Sequence, residues 1–173
     1  KISLHKTDLT RMLWFPLSRG FREVLVRSRH FTALPRAFPA IVADRFGGPE
    51  VLQLNHKELP PLAPGEVLVD IRAAGVNPSD TYVRLGPEGP WKAQPHLLPT
   101  PPFTPGKDGA GVVLEVQGVD GLAVGDRVYL DGSVSGTLAA RAIAKHANVH
   151  PLPDTVSFAQ GACIGVPCAT AFH

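Results

Sequence analysis

The sequence predicts a mainly β domain behind a basic leader, and three observations carry that prediction. From about Ala40 onward, short apolar runs alternate with turn residues. The chain holds 18 prolines and 17 glycines in 173 residues, too much punctuation for a helical bundle. Its charge also changes sign: residues 1 to 36 carry eight Lys or Arg against Asp8 and Glu23, a balance of +6, whereas residues 37 to 173 carry nine against thirteen acids, a balance of −4.

The first strand is expected over Ile41 to Ala43, ended by a turn at Gly47, Gly48 and Pro49, and the next over Val51 to Leu54. Glu66 to Arg72 is the clearest, with Val67, Val69 and Ile71 on one face and Leu68, Asp70 and Arg72 on the other. Gly111 to Val116, Val128 to Leu130, Leu138 to Ala144 and a short strand at Val149 complete the set. Asn77 to Arg84 opens as a short helix: Asn77 caps it, Pro78 suits its first position, and Asp80 falls where a capping box needs it. Residues 87 to 105 hold seven prolines and so must run as a surface loop, either a rim of an active site or a floppy insertion.

Composition narrows the function. Hydrophobic residues make up 44% and mean hydropathy is +0.06, and no apolar run approaches the ~20 residues of a membrane-spanning helix. An acidic body without a Lys/Arg stripe lacks the footprint of a nucleic-acid binder. Cys163 and Cys168 match neither a zinc knuckle nor a redox pair and are expected to be buried thiols. His56, His96, His146 and His150 lack ligand spacing and are expected on the surface or in packing. The chain's single methionine is Met12, so residues 1 to 11 read as translated upstream sequence. From Met12, five arginines (Arg19, Arg22, Arg27, Arg29 and Arg36) against Glu23, interleaved with Phe, Leu and Val, suit a mitochondrial presequence removed before Ala40; the other reading is a basic tail on a cytoplasmic protein.

Five motifs, GGPEVLQL (47–54), AAGVNPSDTYVR (73–84), PGKDGAGVVLEV (105–116), VGDRV (124–128) and GACIGVPCATAFH (161–173), stand in an order that resembles medium-chain dehydrogenases/reductases, in the quinone oxidoreductase branch that includes zeta-crystallin. The resemblance implies a GroES-like β-barrel with short helices over residues 38–156, after a leader over 1–37. It implies that residues 157–173 begin the helical connection to a nucleotide-binding Rossmann domain. No GxGxxG turn follows a strand here; Gly109 and Gly111 read instead as close backbone packing.

Zinc-dependent members of the superfamily place a Cys before the short helix and GHE at the next strand. Here those places hold Asn77 and Gly106, Lys107 and Asp108, and neither an amide nor an ammonium is a zinc ligand at neutral pH, so no zinc is expected. The resemblance implies hydride transfer from NADPH to a quinone or enone, with a zinc-independent protein supplying position and hydrogen bonds. Family motifs map the catalytic residues to Asn77 and Tyr82, and the cofactor contacts to Asn77, Asp80, Tyr82 and Thr170. Lys107 and Asp108 are expected to pair with each other. A Tyr that relatives carry after the short helix is absent from LGPEGPW (85–91), which weakens a second reading as a relative of mitochondrial 2-enoyl-thioester reductases. A non-enzymatic barrel, co-chaperonin-like or crystallin-like, is the third. The chain alone is expected to be inactive, and a homo-oligomer is expected only of a full-length protein.

Overall fold

The computed structural model describes residues 37–172; the leader lies outside the described residues, as does His173. Among these residues seven strands form two antiparallel sheets. In the larger, Glu66–Ala74 (β3) and Gly109–Gln117 (β4) pair at the centre, flanked by Arg141–Lys145 (β6), Arg127–Leu130 (β5) and Val149–Pro151 (β7) in the order β6-β3-β4-β5-β7. The smaller pairs Phe38–Ala43 (β1) with Leu52–Lys57 (β2), placing Ile41 opposite Leu54.

Alternation on β3 drives Val67 and Val69 inward as expected, where they meet Val113, Val128, Leu130, Ala144 and Val149 in one dry cluster. Each fully buried aliphatic side chain of this kind contributes about 1.5–3 kcal/mol. A second cluster, Ala43, Val51 and Phe103, seats the end of the proline-rich loop against β1, with Ala43 and Phe103 exchanging both backbone hydrogen bonds at 2.8 and 3.0 Å. That segment is therefore a surface loop whose end is fixed.

The strand expected over Leu138 to Ala144 starts only at Arg141, because residues 138–140 serve both sheets. Ile41 N–H donates to Leu138 O and Ala140 N–H to Pro39 O on one side, while Ile71 N–H donates to Ala140 O on the other. A segment divided in this way cannot keep one regular ladder. Among the described residues the sheets are joined by this seam, which includes the Ala40–Ala139 bridge, and not by a continuous hydrogen-bonded ring; the Ala43–Phe103 bridge ties β1 to the proline-rich loop.

Among the described residues three α-helices accompany the sheets: Pro78–Leu85 (α1), Phe158–Gly161 (α2) and Gly165–Phe172 (α3). Ser157 caps α2, its hydroxyl accepting from Gln160 N–H at 3.3 Å and its own N–H donating to Gln160 Oε1 at 3.0 Å. Ala110, Leu152 and Ala162 bind that helix to the sheet, with Phe158 and Ile164 packed around them. Cys163 and Cys168 are exposed, contrary to the burial expected from an apolar stretch. The reason is that only one side of this stretch meets the sheet: Ala162 and Gly165 face it, and α3 runs outward to Phe172, 92% exposed.

Gly109 and Gly111 are packing glycines, as the sequence suggested. A Cβ on Gly111 would stand 2.0 Å from Asp70 O, a backbone atom of the paired strand. Gly111→Ala is therefore expected to force β3 and β4 apart and to lower unfolding free energy by at least ~1–3 kcal/mol, measured by urea denaturation, with little change in folded-state far-UV signal.

Candidate functional site

The site grows from the place where β3 ends. Asn77 takes extended backbone angles and caps α1; Asp80, at the third helical position, turns back so that its Oδ2 accepts the Asn77 N–H at 2.8 Å. The capping box read from the sequence thus forms. Both residues are buried, Asn77 at 5% exposure and Asp80 at 6%.

The Asn77 side chain has a second task. Its Nδ2 donates to Asp108 Oδ2 at 2.9 Å, and the same carboxylate accepts the Val166 N–H, at 3.0 Å to Oδ2 and 3.2 Å to Oδ1. Val166 lies in the first turn of α3, where N–H groups have no intrahelical acceptor and a negative charge is favoured. Asp108, with no exposed surface, therefore joins the α1 cap, the start of β4 and the start of α3. Glycines make the approach possible: a Cβ on Gly165 would stand 2.6 Å from Asp108 Oδ1, and one on Gly75 would stand 2.4 Å from Ala162 O and 3.0 Å from Asp108 Cβ.

Burial holds the Asp80 carboxyl above its ordinary value; the Asn77 N–H pulls it down, the negative charge of Asp108 raises it again, and the Lys107 ammonium lowers it. The structure thus gathers Asn77, Asp80 and Asp108 at one point. Tyr82 lies two residues beyond Asp80 on α1, 36% exposed, and its phenol has no hydrogen-bond partner among the described residues. Thr170 lies one turn after Val166 on α3, exposed, donating its hydroxyl to Val166 O at 2.8 Å. Asp108 is therefore the common support of the two helices that carry Tyr82 and Thr170.

Lys107 and Asp108 do not pair. Asp108 turns to Asn77 and Val166, while the Lys107 ammonium stands 5.4 Å from the centroid of the Trp91 ring, across from the proline-rich loop. Adjacency in sequence suggested the ion pair; the Asp108 carboxylate is instead satisfied by charge-assisted N–H donors from Asn77 and Val166. The role of Asp108 was missed by sequence reasoning. A clue existed in an acid set between glycines at a strand start, but its partners are separated from it by 31 and 58 residues. Among the described residues no group of three His, Cys, Asp or Glu side chains is placed to hold a metal ion.

Residues 63–154 match the alcohol dehydrogenase GroES-like domain. The quinone oxidoreductase of Mus musculus is 40% identical over 140 residues, 78% of this chain and 40% of that protein. Among solved structures, the Escherichia coli quinone oxidoreductase complexed with NADPH superposes with TM-score 0.65 at 32% identity, over 78% of this chain and 39% of that one. The human synaptic vesicle membrane protein VAT-1 homolog-like protein superposes with TM-score 0.71 at 28% identity, over 80% and 42%. The chain thus spans about 40% of the length of the quinone oxidoreductases it matches.

Two outcomes are expected at the joint. Asp108→Ala would strand the Asn77 amide and the Val166 N–H in a dry place and lower unfolding free energy by about 2–4 kcal/mol, with Asp108→Asn milder because its carbonyl still accepts; chemical denaturation reads both. Asp80 gives a pH signature. Its folded pKa is raised above 3.8, so the folded state holds its proton more tightly than the unfolded chain. The stability of the wild type relative to Asp80→Asn should therefore fall as pH rises from about 3.8 through the raised value, then level off, in urea titrations across that range.

Proposed function

The chain belongs to the alcohol dehydrogenase GroES-like domain family, in the quinone oxidoreductase branch of the medium-chain dehydrogenases/reductases, and from that premise we propose that it forms the acceptor side of a zinc-independent, NADPH-dependent reductase of quinones or activated alkenes. The observation that carries the reading is the Asp108 joint, which ties the Tyr82 helix and the Thr170 helix to one buried carboxylate. Catalysis by hydride transfer asks a protein for fixed positions more than for reactive side chains, and a rigid joint under two surface-reaching hydroxyls is suited to that demand.

The residues present fit the nicotinamide end of NADPH. Among the described residues, Ser79 Oγ is buried without a partner on α1, and the Tyr82 phenol is equally unengaged on the same helix. Tyr82 and Thr170 would contact the nicotinamide and its ribose. Asn77 would contribute the acceptor capacity left on its carbonyl, while Asp80 holds the helix that presents Tyr82. The bound cofactor supplies a hydride at its C4 position; the chain orients the acceptor and offers hydrogen bonds to the oxygen that gains charge. In this reading α2 and α3 lead toward a nucleotide-binding domain that holds the phosphates, the leader is a mitochondrial presequence, and oligomerisation belongs to the full-length protein.

The test compares the 173-residue chain with one carrying a nucleotide-binding domain of the family after it. Nicotinamide fluorescence should show no saturable NADPH binding by the short chain below millimolar concentration, since a few hydrogen bonds of ~0.5–1.5 kcal/mol each supply little more than the ~4 kcal/mol of a millimolar complex. The longer chain should bind NADPH and reduce an ortho-quinone without stoichiometric zinc by elemental analysis. Micromolar binding by the short chain, or one retained zinc per chain in the longer, would overturn the reading.

A further inference from the structure

The reaction reading gives Lys107 no task. Its backbone is held on both sides: Gly106, at φ +104, accepts the Thr137 N–H at 3.1 Å, and Asp108 is locked between Asn77 and Val166. A Cβ on Gly106 would stand 2.3 Å from Thr137 Oγ1, so the left-handed turn that delivers Lys107 admits no other residue without strain. The side chain is half-buried, as is Trp91. Its ammonium lies over the Trp91 ring and close enough to Asp80 to act on that carboxyl, yet among the described residues it makes no hydrogen bond and no ion pair.

An ammonium carries three N–H donors, and a ring face offers a cation only ~0.5–1 kcal/mol at exposed sites while accepting no ordinary hydrogen bond. Asp80, whose carboxyl feels the Lys107 charge, is engaged by the α1 cap, and the adjacent Asp108 by Asn77 and α3. A positive charge is thus fixed beside a flat aromatic surface with its donors unengaged, next to the helix that carries Tyr82.

We propose that Lys107 and Trp91 form the seat of the acceptor oxygen: the indole flanks a planar conjugated carbonyl compound, and the Lys107 ammonium donates to the oxygen as it becomes a phenolate or enolate. The ligand class is a planar, conjugated oxyanion. The inference rests on the proposed reductase reading for its biological substrate, but the seat itself needs no cofactor. Lys107 would favour the transition state because its field acts on charge that is absent from the neutral acceptor and present in the product.

The probe is 4-nitrophenol, planar and able to ionise, titrated into the 173-residue chain across pH at constant ionic strength. The titratable groups around the seat are Lys107 and, from α1, Asp80, while Asp108, next to Lys107 in the chain, is fully buried. Absorbance reports the phenolate. Bound probe should ionise at lower pH than free probe, a shift of roughly one unit corresponding to a tenfold preference for the anion. Lys107→Met should abolish that preference and leave the neutral phenol's affinity unchanged; Lys107→Arg should keep it. Trp91→Leu should weaken both forms alike. Inorganic phosphate should not displace the probe. The proposal fails if the wild type shows no saturable binding, if Lys107→Met retains the preference, or if phosphate displaces the probe, which would mark a phosphate site. Because the titration contains no NADPH, absent quinone turnover in the longer chain would strike the reductase reading alone.

Discussion

Asp108 has no exposed surface, and its carboxylate accepts from the Asn77 amide and from the first turn of α3. A buried carboxylate is tolerated only when donors replace the water it has lost. Here those donors come from two helices that meet the sheet separately, so satisfying the charge and placing the helices are one event. Gly75 and Gly165 belong to the same solution, since any side chain on either would push the acceptor away from its donors. The surface positions of Tyr82 and Thr170 follow from this packing.

A second carboxyl stands beside the first. Asp80 is buried at the cap, and burial together with the Asp108 charge disfavours its ionised form, while the Asn77 N–H and Lys107 oppose that shift. The cluster is held by hydrogen bonds directed from Asn77 to both acids, a neutral amide between two groups that would otherwise repel. Lys107 supplies nearby positive charge without contact, which leaves its donors available to a ligand.

The sheets serve this arrangement from below. β3 and β4 carry the dry core, and their last and first residues deliver Gly75 to Asn77 and Gly106 to Asp108 to the same end of the larger sheet, where the Gly75 N–H donates to Asp108 O at 3.0 Å. The close backbone approach at Gly111 keeps the two strands in the register that brings those ends together. Fold and site are thus linked through the central strand pair, although the fold alone would permit many chemistries.

The sequence by itself determined the mainly β class, the alternation on β3, the proline-rich surface loop, the capped helix at Asn77 and the family, because each is written in residues near one another along the chain. Tertiary structure decided what those local signals leave open. The apolar neighbours of Leu138 make it look continuous with the strand that follows, yet residues 138–140 divide their hydrogen bonds between two sheets. Cys163 and Cys168 looked buried because the stretch is apolar, and are exposed because one face of it alone meets the sheet. Lys107 and Asp108 looked like a pair because they are adjacent, and separate because Asp108 finds donors 31 and 58 residues away. Hydrogen-bond partners of a buried charge are chosen by three-dimensional proximity in a dry interior, and no local pattern encodes that choice.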